Sequence, residues 1–201
     1  MKPSNLFLLS VLAGSAALSG CGQSTSTPTT ITYSEVGICK KYDTVNGPIS
    51  ALSNEGFAIF KIDSIDNTKN NSLFNLDPER FYIDQSNAEQ KKKSVYDWNR
   101  RFINRDPRFA QTFGITNLVA TAIPAGQKLD LNSYILIPVG TNNPTGGPEA
   151  DQYNLQLVYD TGTAERGNIQ SVSEGIVFVR TNPADAKIQV VEDCKDLPIK
   201  K

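Results

Sequence analysis

The sequence contains no histidine. This absence excludes Ser-His-Asp and Cys-His catalysis, and it removes the commonest protein ligand of transition metals. Cysteine is scarce as well, with three residues in the chain, and methionine and tryptophan occur once each. We therefore expect no cofactor and no bound metal, and any enzymatic reaction of this protein would depend on other groups such as carboxylates.

Neither sign of charge is in excess. The chain has 20 basic and 21 acidic residues, and without residues 1–20, which contain Lys2 and no acid, 19 basic residues remain. Such a balance gives no overall electrostatic attraction for nucleic acid or for another strongly charged partner. We therefore predict that the protein does not bind nucleic acid.

The apolar run near the N-terminus is too short to cross a membrane. It extends from Leu6 to Leu18, which is 13 residues, whereas a transmembrane helix needs about 20. Lys2 precedes the run and small residues follow it, so the segment has the three parts of a secretory signal. The sequence predicts export of the protein.

The apolar run ends in the tetrapeptide Leu18-Ser19-Gly20-Cys21. Small residues directly before a cysteine, with Leu three positions ahead of it, resemble the bacterial lipobox. The resemblance implies that residues 1–20 are a lipoprotein signal peptide and that Cys21, once lipidated, anchors the mature chain in a membrane. The alternative is an ordinary cleaved signal in which Cys21 has no role.

The residue after the cysteine bears on which membrane is used. Gly22 occupies the position where an inner-membrane retention signal usually has Asp. In a cell with two membranes, this favours the periplasmic side of the outer membrane. Residues 21–30 are small, polar and uncharged, which predicts a flexible tether. We expect residues 31–201 to form one domain, since their number is ordinary for a single hydrophobic core.

Two cysteines remain for the folded domain if Cys21 is lipidated. Cys39 and Cys194 lie near its two ends, and export places them where disulfides persist if the compartment is oxidising. Two cysteines allow a single pairing, which would close a loop of roughly 155 residues and stabilise the fold by at most about 5 kcal/mol. The alternative is two buried free thiols.

The folded part is predicted to be mainly β. Short runs rich in aromatic and branched residues alternate with turns rich in Gly, Pro and Asn. The predicted strands are residues 56–62, 81–83, 115–123, 131–139, 153–160, 175–180 and 187–191. Many short strands separated by such turns favour an antiparallel β-sandwich.

One segment has the periodicity of a helix. Between Ser94 and Asn104, apolar residues recur at helical spacing, and Trp98 is among them. Asp106-Pro107 is expected to end this helix, because the residue before a proline avoids the helical region. We predict a short helical insert, at about residues 85–114, within the sandwich.

Two parts of the chain resemble a known family. Residues 57–84 contain a strand followed by a turn with Asn67, and Pro124-Ala125-Gly126 precedes a strand with a bulky apolar core. Both features resemble the telokin-like, immunoglobulin-fold domains of uncharacterised bacterial lipoproteins, which are related to a secreted immunoprotective antigen. The likeness covers roughly residues 56–84 and 115–160. It implies an immunoglobulin-like β-sandwich in the cell envelope and implies no particular chemistry.

The insert carries most of the clustered positive charge. Aromatic residues stand among its basic residues, which are Lys91, Lys92, Lys93, Arg100, Arg101, Arg105 and Arg108. Basic residues interleaved with aromatics are typical of surfaces that bind anions. In an exported protein, the partner would be an envelope protein or a polyanion. The alternative is that the aromatics pack the insert onto the sandwich while the basic residues face solvent.

Two further sets of side chains are candidates for a calcium site and for the acids of a glycoside hydrolase. Asp63, Asp66, Asn67 and Asn70 carry oxygen atoms of the kind that calcium binds, but they lack the spacing of a helix-loop-helix calcium site, and turn formation explains them. Candidate acids for glycoside hydrolysis lie beside loops and belong to no recognisable motif; they are Glu149, Asp151, Asp160 and Glu165.

The sequence therefore favours a lipid-anchored lipoprotein of the cell envelope that acts as a binding or scaffolding module and is not an enzyme. Two alternatives remain open. One is an accessory subunit of an envelope complex, docked through the basic insert. The other is a cell-wall hydrolase that uses carboxylates alone.

Overall fold

The computed structural model describes residues 28–52, 55–84, 106–140, 156–161, 175–183 and 185–200. Cys21 and the predicted signal peptide lie outside these residues, and so do the predicted helix between Ser94 and Asn104 and most of the basic insert. The prediction of a mainly β sandwich is confirmed. No helix in the described part of the chain is both long and apolar enough to span a bilayer.

Eleven strands are present in the described residues: β1 (Thr29–Thr44), β2 (Gly47–Ser50), β3 (Glu55–Asp66), β4 (Phe74–Leu76), β5 (Phe81–Asp84), β6 (Thr116–Asn117), β7 (Thr121–Ile123), β8 (Lys128–Gly140), β9 (Gln156–Tyr159), β10 (Ile176–Arg180) and β11 (Val190–Asp193). One α-helix, α1 (Pro107–Phe113), and two 3₁₀ helices, Pro78–Arg80 and Cys194–Asp196, accompany them.

The main sheet is mixed rather than wholly antiparallel. Its strands lie in the order β10-β1-β3-β8-β6, and β2 and β11 also pair with β1. The long central pairs, β1 with β3 and β3 with β8, are antiparallel. At the edges, β10 and β11 each run parallel to β1, and β6 runs parallel to β8. Two smaller antiparallel sheets pair β4 with β7 and β5 with β9.

The core between the layers explains why the central strand β3 is so apolar. Along β3, Ala58, Phe60 and Ile62 are fully buried in one cluster. That cluster also contains residues of the two small sheets, among them Phe81 and Tyr159. Side chains at alternate positions of a strand point to the same face, so these three residues of β3 lie on one face of the main sheet. The small sheets pack against that face and form the second layer of the sandwich.

The opposite face of β3 is covered too. Phe57 and Ile59 belong to a second buried cluster, to which α1 contributes Phe109 and the C-terminal segment contributes Leu197. The disulfide between Cys39 and Cys194 lies in the same cluster, with both cysteines fully buried. A strand buried on both faces needs an uninterrupted apolar run, and residues 56–62 supply one.

Two local expectations are corrected. β1 begins at Thr29, two residues before the predicted start of the domain. The strand predicted at 115–123 is divided between two sheets: β6 belongs to the main sheet, β7 pairs with β4, and Leu118 between them is buried.

The predicted end of the helix between Ser94 and Asn104 lies outside the described residues and stays a prediction. At Asp106-Pro107 the structure shows the start of α1: the Asp106 side chain accepts a hydrogen bond from the backbone N–H of Arg108, and proline suits the first helical turn.

Candidate functional site

The first residue of β1 is held tightly at one end of the sandwich. Thr29 is 1% exposed. Its hydroxyl donates to Asn67 Oδ1 at 2.9 Å and accepts from Asn70 Nδ2 at 2.9 Å. Its backbone N–H donates to the carbonyl of Gly175 at 2.8 Å. The chain that precedes Thr29 therefore enters the domain at a fixed point, which we call the tether end of the sandwich.

Asn67 organises this end. It is 1% exposed, and its Nδ2 donates to the carbonyls of Ser72, Ile123 and Pro124 at 2.9–3.1 Å. The Asn67 backbone carbonyl accepts from the N–H of Gly126 at 3.1 Å. One side chain thus joins the turn after β3 to the Pro124–Gly126 turn before β8. These are the two turns on which the family resemblance depends.

A groove of about 510 Å³ opens beside Thr29 at the tether end. Leu73, Phe74, Tyr159 and Ile176 give it apolar walls. Thr29, Asn70, Asp77 and Arg80 add polar groups. Its volume lies in the range of about 300–1,000 Å³ that is usual for small-molecule sites. We take this tether-end groove as the candidate functional site.

Opposite charges meet at the rim of the groove. Arg80 Nε lies 3.7 Å from Asp77 Oδ2, and both side chains are about half exposed, at 45% and 46%. The other carboxylate oxygen of Asp77 accepts from the backbone N–H of Glu79 at 3.0 Å. The Arg80 guanidinium also donates to the backbone carbonyl of Asp160 at 3.2 Å. The pair is thus held in place by the backbone and remains open to solvent.

Hydrogen bonds and ring packing hold Tyr159 in the groove wall beside this pair. The Tyr159 hydroxyl donates to the carbonyl of Asn75 at 3.0 Å and accepts from the N–H of Asp77 at 2.8 Å. The ring of Tyr159 packs edge-on against Phe81, with the centroids 4.9 Å apart. Burial raises the pKa of the Tyr159 hydroxyl above its usual value, so it stays neutral near pH 7. Leu73 is the most exposed apolar residue of the groove, at 53%.

The basic insert is largely untested. Lys91, Lys92, Lys93, Arg100, Arg101 and Arg105 lie outside the described residues. Arg108 is described, and its guanidinium holds the carboxylate of Asp106 at 2.8 Å through Nη2 and 2.9 Å through Nε. Asp106 also accepts from the hydroxyl of Tyr42. Arg108 is thus already engaged with a carboxylate of its own chain, although its side chain is 44% exposed.

The aromatic residues that flank Arg108 pack inward. Phe109 is 1% exposed, and its ring lies edge-on to Tyr42 at 5.3 Å. Phe113 packs against Phe109 at 4.7 Å. Phe109 and Phe113 therefore attach α1 to the sandwich, while the role of the basic residues of the insert stays a prediction. Burial and the Asp106 carboxylate together raise the pKa of Tyr42.

The candidate acids for glycoside hydrolysis are largely untested by the described residues. Glu149, Asp151 and Glu165 lie outside them, and Asp160 is buried at 6% exposure. Burial raises the pKa of a different acid, Glu35, even though the Arg180 guanidinium lies 2.7 Å away and opposes the shift. Glu35 thus pairs with a cation and not with a second carboxylate. It is also not among the residues that line the groove.

The oxygen-bearing residues considered for calcium are used in turns and ion pairs. Asp66 accepts from the N–H of Thr68 at 2.9 Å, and Asp63 lies 2.7 Å from Lys61 Nζ. Asn67 and Asn70 bind Thr29, as described above. No group of three or more potential metal-ligating side chains is present in the described residues.

The predicted disulfide is present. Cys39 and Cys194 are bonded, with their Cα atoms 4.9 Å apart and a sequence separation of 155. Sequence reasoning missed the groove, because its residues come from four separate segments of the chain. The one local signal is the polar run 66–71, which predicts a turn and carries candidate calcium ligands but does not indicate a groove.

No protein-family model matches this chain, and neither a curated protein nor a solved structure does. The likeness to telokin-like lipoprotein domains therefore stays a prediction, as does the lipobox.

Proposed function

We propose that this protein is a lipoprotein of the cell envelope, anchored through lipidated Cys21, whose sandwich is a binding or scaffolding module without catalytic activity. The proposed membrane is the outer one, on its periplasmic side, in a cell that has two. The proposed partner is an envelope protein or a polyanion, reached while the lipid holds the domain at the membrane surface. Two or more acyl chains on one cysteine give stable anchoring.

The position of Thr29 supports this proposal most directly. Residues Gly22 to Pro28, seven in number, separate Cys21 from the fixed start of β1. The eight Cα–Cα steps from Cys21 to Thr29 reach at most about 29 Å when the chain is fully extended. If Cys21 carries lipid, the tether end of the sandwich stays within that distance of the membrane, and so does the groove beside Thr29. A binding site next to the anchor suits a module that works at the surface of its own membrane.

The distribution of acids supports a non-catalytic role. A carboxylate-based hydrolase needs two carboxyl groups about 5–10 Å apart in a cleft. In the described lining of the groove, Asp77 is accompanied by a cation, Arg80. Glu35, a partly buried acid outside the groove, is likewise paired with a cation, Arg180. Each of these carboxylates therefore faces a partner that neutralises it.

Cell fractionation tests the proposal. Wild-type protein is expected in the membrane pellet and is expected to resist extraction by high salt, because acyl chains bind through burial of apolar surface and not through charge. The variant Cys21→Ser should appear in the soluble fraction at the same total level. As a matched control, Ser24→Ala changes a small tether residue and should stay in the membrane. If Cys21→Ser remained in the pellet after a salt wash, lipid anchoring would be wrong.

The binding role needs a separate measurement. Crosslinking in intact cells, followed by purification of the wild-type protein, should recover the same envelope component in repeated experiments. The purified protein should release no products from cell-wall polymer. If wild-type protein released products and Asp77→Asn did not, the protein would be a hydrolase and not a binding module.

A further inference from the structure

We infer that the tether-end groove binds a neutral saccharide, with Asp77 and Arg80 together gripping adjacent hydroxyl groups of one sugar ring. The inference goes beyond the proposed function, because a neutral saccharide is neither of the partners proposed there, and it rests on that function only for the location of the ligand in the cell envelope. The binding chemistry itself depends only on the groove.

The charges at the rim select against an ion as ligand. A phosphate attracted by Arg80 would stand close to the Asp77 carboxylate, which lies 3.7 Å from the guanidinium. An ammonium attracted by Asp77 would meet the same difficulty with Arg80. Like charges held this close cost free energy. Because the pair carries no net charge, a neutral ligand avoids both costs.

Hydroxyl groups match the pair in hydrogen-bonding capacity. An ionised carboxylate only accepts hydrogen bonds, and a guanidinium only donates them, whereas a hydroxyl does both. Two adjacent hydroxyls of a sugar can therefore donate to Asp77 and accept from Arg80 at the same time. Hydrogen bonds to charged groups are stronger than those between neutral groups, so this arrangement orients the ring.

The rest of the groove suits the other parts of a sugar. The exposed side chain of Leu73 and the partly buried ring of Phe74 offer apolar surface to the C–H face of a ring. Asn70 and Gly175 also line the groove. Gly175 has no side chain, so it adds only backbone to this lining, and its carbonyl already accepts a hydrogen bond from the N–H of Thr29.

The experiment is saturation-transfer NMR on the full-length protein, in a detergent whose headgroup contains neither sugar nor phosphate. The probes are three neutral tetrasaccharides (cellotetraose, maltotetraose and chitotetraose), inorganic phosphate and phosphoethanolamine. At least one tetrasaccharide should bind, with a Kd on the order of 1 mM, because an open groove of this size buries little of its ligand. Magnetisation should reach the ring protons of one sugar unit most strongly.

Three variants assign that binding to the groove. Asp77→Asn retains an acceptor for the backbone N–H of Glu79 but loses the charge, and it should weaken saccharide binding about tenfold. Leu73→Ser changes an exposed side chain and should also weaken binding. Asp130→Asn removes a charge from the exposed Lys128–Asp130 pair, which is not part of the groove, and should leave Kd within about twofold.

Three results would overturn the inference. One is the absence of any tetrasaccharide signal at concentrations on the order of 10 mM, well above the Kd range expected for an open site. Another is equal binding by wild type, Asp77→Asn and Leu73→Ser. The third is binding of phosphate or phosphoethanolamine alone, strengthened by Asp77→Asn. The fate of Cys21→Ser in cell fractions is independent of all three, so failure of the anchor and failure of the groove are distinguishable.

Discussion

The hydroxyl of Thr29 donates a hydrogen bond to Asn67 Oδ1 at 2.9 Å, across 38 residues of sequence. This contact fixes the first residue of β1 against the turn that follows β3. Asn67 in turn holds the carbonyl of Pro124. The tether end of the sandwich is therefore a connected network of hydrogen bonds, and the groove lies directly beside it.

The first prediction concerns Asn67 itself. Asn67→Ala removes the acceptor for Thr29 and the donor for the carbonyls of Ile123 and Pro124. Buried polar groups left without a partner cost about 1–3 kcal/mol each, so we expect the free energy of unfolding to fall by about 3 kcal/mol. Urea unfolding measures this change. Asn71→Ala, in the exposed part of the same turn, should change it by less than about 0.5 kcal/mol; equal losses in the two variants would show that the network contributes nothing.

The second prediction concerns pH and Asp106. Hydrogen bonds from Arg108 and Tyr42 hold the pKa of Asp106 below its usual value, although burial acts in the opposite direction. Its ionised form therefore stabilises the fold above the unfolded pKa of about 3.9, and that contribution is lost as pH falls through the lower folded pKa.

The variant Asp106→Asn tests this directly. It retains a cap for α1, since asparagine is also a good N-cap, but it loses the charge. At pH 7 it should unfold more easily than wild type by about 1–3 kcal/mol, and the difference should shrink below about pH 3. Asp130→Asn, at an exposed ion pair, should show almost no difference at either pH. A gap that stayed constant with pH would exclude the carboxylate charge as its cause.

The third prediction concerns the disulfide. Replacing both Cys39 and Cys194 by Ala should lower the free energy of unfolding by up to about 5 kcal/mol, because the bridge closes a loop of about 155 residues in the unfolded chain. Thermal unfolding with and without reductant measures the effect, and reductant should have no effect on the double variant. Cys21→Ser serves as the control and should leave the melting temperature unchanged. A double variant as stable as wild type would contradict the prediction.

The fourth prediction concerns Gly37, which lies in an irregular part of β1 with φ at +153°. A Cβ at this position would approach Leu197 Cδ2 to 2.5 Å and the carbonyl oxygen of Gln189 to 2.9 Å. Gly37→Ala should therefore destabilise the fold by about 2–4 kcal/mol through overpacking and backbone strain together. Gly47→Ala has a positive φ of +108° with open space around it, so it reports the strain alone. If the two variants lost the same stability, the contact with the C-terminal segment would be unimportant.

Much of the fold was predictable from sequence, for identifiable reasons. β3 and β8 are apolar over most of their length because one or both of their faces are buried, and such runs are plain in the sequence. The disulfide was predictable from the position of two cysteines in a chain for which the sequence predicts export. β1 was missed because its buried residues are interrupted by two irregularities in register, near Tyr33 and near Gly37, which break the alternation that predicts a strand.

The candidate site was less predictable. The groove needs Thr29, the turn after β3, β9 and the start of β10 to meet, and nothing local to any of these segments indicates the others. Asp106-Pro107 illustrates a different difficulty. The sequence predicts that a helix ends at this dipeptide, whereas the structure shows that α1 begins there. Proline disfavours the helical conformation in the residue before it and favours it at its own position, so the same two residues are compatible with either event.

We propose that Cys21 carries the lipid that places the groove at a membrane surface. Intact-mass spectrometry of the protein extracted from membranes tests it most directly. If Cys21 is lipidated, we expect a chain that lacks residues 1–20 and begins at Cys21, with the added mass of two or three acyl chains on that residue. A mature chain that begins elsewhere, or that begins at an unmodified Cys21, would contradict it.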